Sequence, residues 1–257
     1  MKRLVGRIAL VTGASSGIGM ACARALAGEG ANLILAARRM DRLKALAGEL
    51  LHDCGVDVLP FELDVRQQPA VEQMVRSLPS DWAAIDILVN NAGLSRGLDK
   101  VYQGQLEDWE EMLDTNVKGL LYVSRAVLPG MIERNRGHVV NIGSIAGREV
   151  YPSGNVYCAS KFAERAISKG MLLDVNGSRV RVTTIDPGMV ETEFSSVRFH
   201  GDDARAKKVY QGVTPLRGED VADAVVYSVT RPDHVNVAEL VLLPTCQASA
   251  MVVHRTS

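Results

Sequence analysis

The 257-residue chain has no apolar run near the roughly 20 residues that a membrane-spanning helix needs. Its first stretch, MKRLVGRIALVTG, begins basic, but the apolar part is short, enters a glycine motif directly and shows no A-x-A pattern. A soluble, cytoplasmic protein is expected. Cysteine is scarce too. Cys22, Cys54, Cys158 and Cys246 lie far apart without CxxC or Cys/His metal spacing. His52, His138, His200, His234 and His254 show no ligand spacing either, so free thiols and no metal are expected. Neither sign of charge dominates, the formal net charge being −1, and basic clusters such as Lys207–Lys208 are too short for a nucleic-acid tract. A small-molecule partner remains, with no nucleic acid and no membrane.

No internal repeat, low-complexity tract or Pro/Gly/Ser linker divides the chain, and 47% hydrophobic with 23% charged residues is ordinary for a folded domain. One domain over residues 1–257 is expected. Short apolar, β-branched runs alternate with longer amphipathic stretches. The runs are Ile8–Val11, Asn32–Ala36, Val56–Leu63, Ile87–Asn90, His138–Ile142, Val180–Ile185 and Glu239–Leu243. Most are apolar throughout, as parallel strands buried on both faces are. Helical spacing marks Met20–Ala27, Asp41–Leu50, Ala70–Leu78, Leu106–Glu133 and Asn155–Val175. The pattern predicts a doubly wound α/β Rossmann fold: a central parallel sheet of about seven strands with helices on both faces. Residues 189–215, polar and irregular, are expected to form a substrate lid, followed later by a tail over 244–257.

Directly after the first run stands Thr12-Gly13-Ala14-Ser15-Ser16-Gly17-Ile18-Gly19, opening an Ala-rich helix. Glycines here let the backbone turn sharply and approach a pyrophosphate, whose charge meets free N–H groups at the helix start. A glycine cluster alone is weak, but the second strand ends about 20 residues on, where the ribose 2′ position is read. An acid there would select NAD. Arg38 and Arg39 stand there instead, suited to a 2′-phosphate and hence to NADP(H), although both also fit a solvated turn and Asp41 is near.

Tyr157-Cys158-Ala159-Ser160-Lys161 puts a phenol and an ammonium four residues apart, on one face of a helix. A nearby Lys⁺ favours the phenolate, so such a tyrosine can exchange a proton with a substrate oxygen. Ser144 follows the strand His138–Ile142, thirteen residues before Tyr157, and Asn90-Asn91-Ala92-Gly93 closes the fourth run.

In this order, over nearly the whole chain, these motifs resemble the short-chain dehydrogenases/reductases. The resemblance implies that Tyr157 is the general acid/base and that Ser144 holds the substrate oxygen. It implies that Lys161 binds the nicotinamide ribose and that Asn116 helps hold a water for proton relay. Cofactor contacts are implied at Gly13, Ser15, Ser16, Gly17, Ile18 and Gly19, at Arg38 and Arg39, and at Asp64 and Val65 on the adenine side. Asn91, Ala92 and Gly93 would line the adenine ribose, while Pro187, Gly188, Val190 and Thr192 frame the nicotinamide.

A closer likeness is carried by Glu107-Asp108-Trp109-Glu110, Ala126-Val127-Leu128-Pro129-Gly130-Met131, Gly154-Asn155-Val156-Tyr157 and Thr192-Glu193-Phe194-Ser195 running into Val197-Arg198-Phe199. With the tail Leu243-Pro244-Thr245 through Val253-His254-Arg255, these are similar to the NADP-dependent 3-hydroxy acid dehydrogenases, serine 3-dehydrogenase among them. The implied substrate carries a carboxylate near the reacting carbon, which an arginine binds in a fork. Arg148, four residues past Ser144, is the first candidate and Arg198 the second. A sulfonated aldehyde or a 3-oxoacyl-carrier-protein fits the same motifs. A non-enzymatic NADP-binding regulator does not explain the set Asn116, Ser144, Tyr157 and Lys161. The family also implies a homotetramer, with residues 106–133 and 155–175 between subunits and the apolar tail at an interface.

Overall fold

The computed structural model describes residues 2–256. Its first half runs β1 (Ile8–Thr12), α1 (Gly17–Gly28), β2 (Asn32–Ala37), α2 (Met40–Cys54), β3 (Val58–Glu62), α3 (Gln68–Arg76) and β4 (Ile87–Asn90). Then come α4 (Leu106–Leu113), α5 (Leu120–Glu133), β5 (Gly137–Ile142), α6 (Asn155–Asp174) and β6 (Val180–Pro187). Last are α7 (Phe194–Arg198), α8 (Asp203–Val209), α9 (Gly218–Val229) and β7 (Glu239–Leu242). The strands form one sheet in the order β3-β2-β1-β4-β5-β6-β7, every pair parallel. This is the Rossmann arrangement that the alternating runs predict.

Period-2 alternation sorts the core. Along β1, Ala9 and Val11 face one layer with Leu26 of α1, Leu43 of α2 and Val225 of α9, while Ile8 and Leu10 face the other with Val71, Val123 and Met171. Both faces of β1, β4 and β5 are buried, which is why these strands read as continuous apolar runs. At the sheet edge β7 instead alternates exposed and half-buried residues. Three expected boundaries shift. The third strand is confined to Val58–Glu62, because it is an edge strand paired only with β2. The expected helix over Leu106–Glu133 is interrupted by a π-helical stretch, Asp114–Gly119. The stretch expected to be irregular, 189–215, holds α7 and α8, the second capped by the Asp202 carboxylate accepting from Arg205 N (2.9 Å).

The crossovers bring the C-terminal ends of all strands to one side. The order reverses between β1 and β4, opening a crevice at that end, the place where open α/β sheets bind ligands.

At the other end, His138 on β5 is 2% exposed. The Thr183 hydroxyl donates to Val237 O (2.6 Å), so it accepts from His138 Nε2–H (2.7 Å), and Nδ1 is left without a partner among the described residues. Burial, reinforced by the Arg181 charge, pushes this imidazole from 6.5 down to about 3. The unfolded chain therefore takes up this proton first. The His138 contribution to stability is complete above pH 6.5 and is lost as the pH falls from there towards 3, at about 1.4 kcal/mol per unit. Urea unfolding across that window should show a shallower pH dependence for His138→Gln than for the natural chain. Equal slopes would mean that the folded state protonates this imidazole freely.

Candidate active site

The crevice has a volume of about 330 Å³ and is framed by the ends of β1, β2, β4, β5 and β6. At its phosphate end, Gly13 takes φ +66°, a left-handed conformation that favours glycine. Helix α1 begins with no side chain capping it, so its first N–H groups face the crevice unclaimed by side chains. Gly19, expected to touch a cofactor, lies outside the crevice wall. A Cβ there would strike Asn91 Nδ2 and Gly13 O, so its missing side chain lets α1 pack beneath the turn. Asn91 in turn donates from Nδ2 to Thr12 O (3.0 Å), and the Thr12 hydroxyl accepts from Asn91 N (3.0 Å) and Ala92 N (3.1 Å).

At the ribose end, the Arg39 guanidinium donates to Ser15 Oγ (3.2 Å) and Ser16 Oγ (2.7 Å), lying across the phosphate turn. Glu193 pairs with both Arg39 (2.9 Å) and Arg42 (2.6 Å), so two guanidiniums share one carboxylate and a positive charge remains. The hydrogen bond from Arg42 is the main reason that Glu193 is held below the usual carboxylate range. Arg38 also lines the wall and makes only a loose 3.7 Å contact with Glu111. Asp64 is gripped by Arg66 (Nε to Oδ1, 2.9 Å), which keeps its carboxyl low. A dinucleotide with a 2′-phosphate fits this donor set. The remaining expected contacts, from Ser15 to Ile18, Val65, Asn91 to Gly93, Pro187, Gly188, Val190 and Thr192, all line the crevice.

At the reacting end, Ser144, Tyr157 and Lys161 line one wall, all buried. Ser144 Oγ accepts from Ala146 N (3.0 Å), which leaves its O–H free to donate. The Tyr157 ring meets Phe194 edge-on at 5.6 Å. Lys161 Nζ donates to Ile142 O (2.9 Å) and to Glu164 Oε2 (2.8 Å). Burial pulls this ammonium down, but Glu164, Tyr157 and Asp186 together hold it above the ordinary lysine range. Asn116 sits in the π-helical stretch. Its Nδ2 donates to Leu94 O (2.8 Å) and Ser160 Oγ (3.0 Å), and its Oδ1 accepts from Leu94 N (2.9 Å), tying the β4 loop to α6.

Of the two arginine candidates, Arg148 must be withdrawn. Its Nε donates to Asp186 (2.6 Å), which is 1% exposed, and its Nη2 pairs with Glu239, so two carboxylates take the guanidinium away from the crevice. Arg198 is not itself among the residues that line the crevice, but it packs against two that are, Tyr157 and Phe194. Its guanidinium lies 5.3 Å from the centre of the Tyr157 ring and 5.0 Å from that of Phe194. It donates from Nε to Ser95 Oγ (3.0 Å) and from Nη2 to Tyr151 Oη (3.1 Å), so three of its five N–H groups have no hydrogen-bond partner among the described residues.

Sequence reasoning missed three residues of this site. Glu164 is signalled only by its i+3 spacing from Lys161, and Arg42 by the same spacing from Arg39. Glu193 carries no local signal, because its partners Arg39 and Arg42, at the start of α2, lie about 150 residues away in sequence.

A phosphate-binding turn, a cationic ribose corner and a Ser/Tyr/Lys wall define a dinucleotide-dependent oxidoreductase site. The short chain dehydrogenase family model matches residues 7–203, and the chain belongs to that family. It is 50% identical over 251 residues, 97% of this chain and 100% of the relative, to the NADP-dependent 3-hydroxy acid dehydrogenase YdfG of Salmonella typhi. Identity is 43% over 256 residues, 99% of each chain, to the NADP-dependent 3-hydroxy acid dehydrogenase of Schizosaccharomyces pombe. Among solved structures, the closed form of serine dehydrogenase complexed with NADP+ superposes with a TM-score of 0.90 at 48% identity, covering 97% of this chain and 100% of that one.

The buried pair gives a test of its own. Removing one partner of a buried ion pair leaves an uncompensated charge, whereas replacing both by apolar residues is close to neutral. Glu164→Leu should lower unfolding free energy by about 3–5 kcal/mol, and Lys161→Met/Glu164→Leu should recover most of it. Chemical denaturation of the three chains checks this. A loss under about 1 kcal/mol for Glu164→Leu would place the Lys161 ammonium in contact with solvent.

Proposed function

We propose that the protein interconverts a small 3-hydroxy acid, such as L-serine or 3-hydroxypropionate, with its 3-oxo acid or semialdehyde, using NADP(H). The observation that carries this reading is the Arg198 guanidinium, a cation with free donors packed against Tyr157 and Phe194, two rings that line the reacting end of the crevice. A carboxylate held there puts a hydroxyl a few bonds away within reach of Ser144 and Tyr157. The relatives at 50% and 43% identity are NADP-dependent 3-hydroxy acid dehydrogenases, which supports the same substrate class.

When bound, the nicotinamide supplies or accepts the hydride. The Ser144 hydroxyl donates to the substrate oxygen, and Tyr157 Oη takes the proton in oxidation and returns it in reduction. Lys161 provides a buried positive charge beside Tyr157, which favours negative charge on the phenol oxygen as the proton moves. Asn116 holds the β4 loop against α6, keeping the phenol in register with the crevice floor. At the ribose corner, Arg39 with Arg42 outweighs Glu193 and selects the 2′-phosphate. Residues 189–215, which carry Phe194 and Arg198, act as the lid. The four free thiols suit a cytoplasmic setting.

Assembly as a homotetramer is supported by apolar side chains that the long helices leave exposed, among them Leu106, Leu121, Phe162 and Leu173, and by Met251 and Val252 in the tail.

A spectrophotometric screen of L-serine, 3-hydroxypropionate, 3-hydroxybutyrate and isethionate with NADP and NAD tests the reading. Turnover of the 3-hydroxy acids with NADP preferred is expected, and Arg39→Ala should erode that preference through the cofactor KM. Higher kcat/KM with NAD, or no 3-hydroxy acid turned over, would overturn it. Tyr157→Phe should lower kcat by about 10²–10⁴-fold while NADPH affinity, read by fluorescence, stays within about twofold. Light scattering should give the tetramer mass, and a monodisperse monomer at micromolar concentration would contradict the assembly.

A further inference from the structure

At the end of the sheet opposite the catalytic crevice lies a second cleft of about 300 Å³, at the lower bound of small-ligand sites. Seven arginines and two aspartates line it, an excess of five positive charges in a chain whose formal net charge is −1. The carboxylates present are overdrawn. Arg7 Nη1 (3.2 Å) and Arg136 Nη2 (2.5 Å) converge on one oxygen of Asp86, whose other oxygen accepts from Ile8 N (3.0 Å). Arg179 takes Asp233 (3.0 Å).

The remaining guanidiniums find main-chain oxygens instead. Arg134 donates to Ile85 O (2.8 Å), and Arg181 to Val229 O, Arg231 O and Val235 O at 3.1–3.2 Å. Burial lowers the Arg181 guanidinium below its ordinary value; Asp233 opposes this and the Arg7 charge adds to it. Even with Arg3 assigned to Glu29 outside the cleft (2.6 Å), four positive charges are uncompensated. Buried His138, on the cleft wall, keeps Nδ1 as an acceptor with no partner among the described residues.

We propose that this cleft binds a polyphosphate group, either free or carried by a nucleoside. Like charges crowded on one surface repel, and an anion that several guanidiniums grip at once removes that repulsion. The planar forks match phosphate oxygens, and four or five charges call for a chain of phosphates where one carboxylate would offset a single charge. The site is independent of the oxidoreductase reading, since the sheet separates the two clefts.

Isothermal titration of NADPH-saturated protein with inorganic tripolyphosphate, orthophosphate and ATP tests the proposal, because the dinucleotide cleft is then filled. Tripolyphosphate should bind one to one, at least tenfold more tightly than orthophosphate, and more weakly as salt rises. ATP equal to tripolyphosphate assigns recognition to the phosphate chain alone, while tighter ATP adds a nucleoside contact; both support the site. Arg136 and Arg179 have exposed side chains, so Arg136→Ser/Arg179→Ser should fold. It should lose at least tenfold in tripolyphosphate affinity with NADPH affinity unchanged. If this variant has a lowered Tm, the single variants and the ligand-induced Tm shift of the NADPH-saturated natural chain give the same reading. No binding of tripolyphosphate, affinity unaffected by the substitutions, or displacement of NADPH by tripolyphosphate would overturn the proposal.

Discussion

The site depends on how β1 and β4 are tied together where the strand order reverses. The Thr12 hydroxyl donates to Val89 O (3.3 Å) and accepts from two N–H groups of the β4 loop, while the Asn91 amide returns a bond to Thr12 O. These groups are mostly buried, so each bond also spares the cost of an unsatisfied polar atom. The tie aligns the phosphate turn after β1 with the wall that carries Gly93, and a Cβ on Gly93 would approach Asn116 Oδ1 (3.3 Å) and Lys161 Nζ (3.8 Å). Cofactor side and reacting side are thus fixed by one set of short bonds.

The second constraint is the cost of burying the Lys161 ammonium, 7% exposed. The Ile142 main-chain carbonyl and the Glu164 carboxylate meet that cost, so the ammonium can line the reacting wall beside Ser144 and Tyr157. Asp186 is held in its own pair by Arg148. That pairing explains why Arg148 is absent from the crevice.

Much of this was legible in the sequence. The apolar, β-branched runs located all seven strands, most plainly β1, β4 and β5, because strands covered on both faces must be apolar throughout. Tyr157, Lys161, Ser144 and the glycine turn were readable because their chemistry depends on local spacing. What sequence did not reveal was pairing across distance. Nothing near Arg148 announces Asp186 and Glu239, and nothing near Arg39 announces Glu193. The helices α7 and α8 were hidden for another reason. They span five and seven residues, too short for a helical period to emerge from a charged stretch.

The central claim is that Arg198 makes this a hydroxy acid enzyme, and kcat/KM for 3-hydroxypropionate against neutral 1-propanol tests it most directly. A hydrogen-bonded charged partner contributes about 1.5–3 kcal/mol, equal to a factor of roughly 10–150. The natural chain should favour the acid by at least that factor, and Arg198→Leu should remove most of the preference while NADPH affinity holds. An unchanged preference in Arg198→Leu would contradict the account.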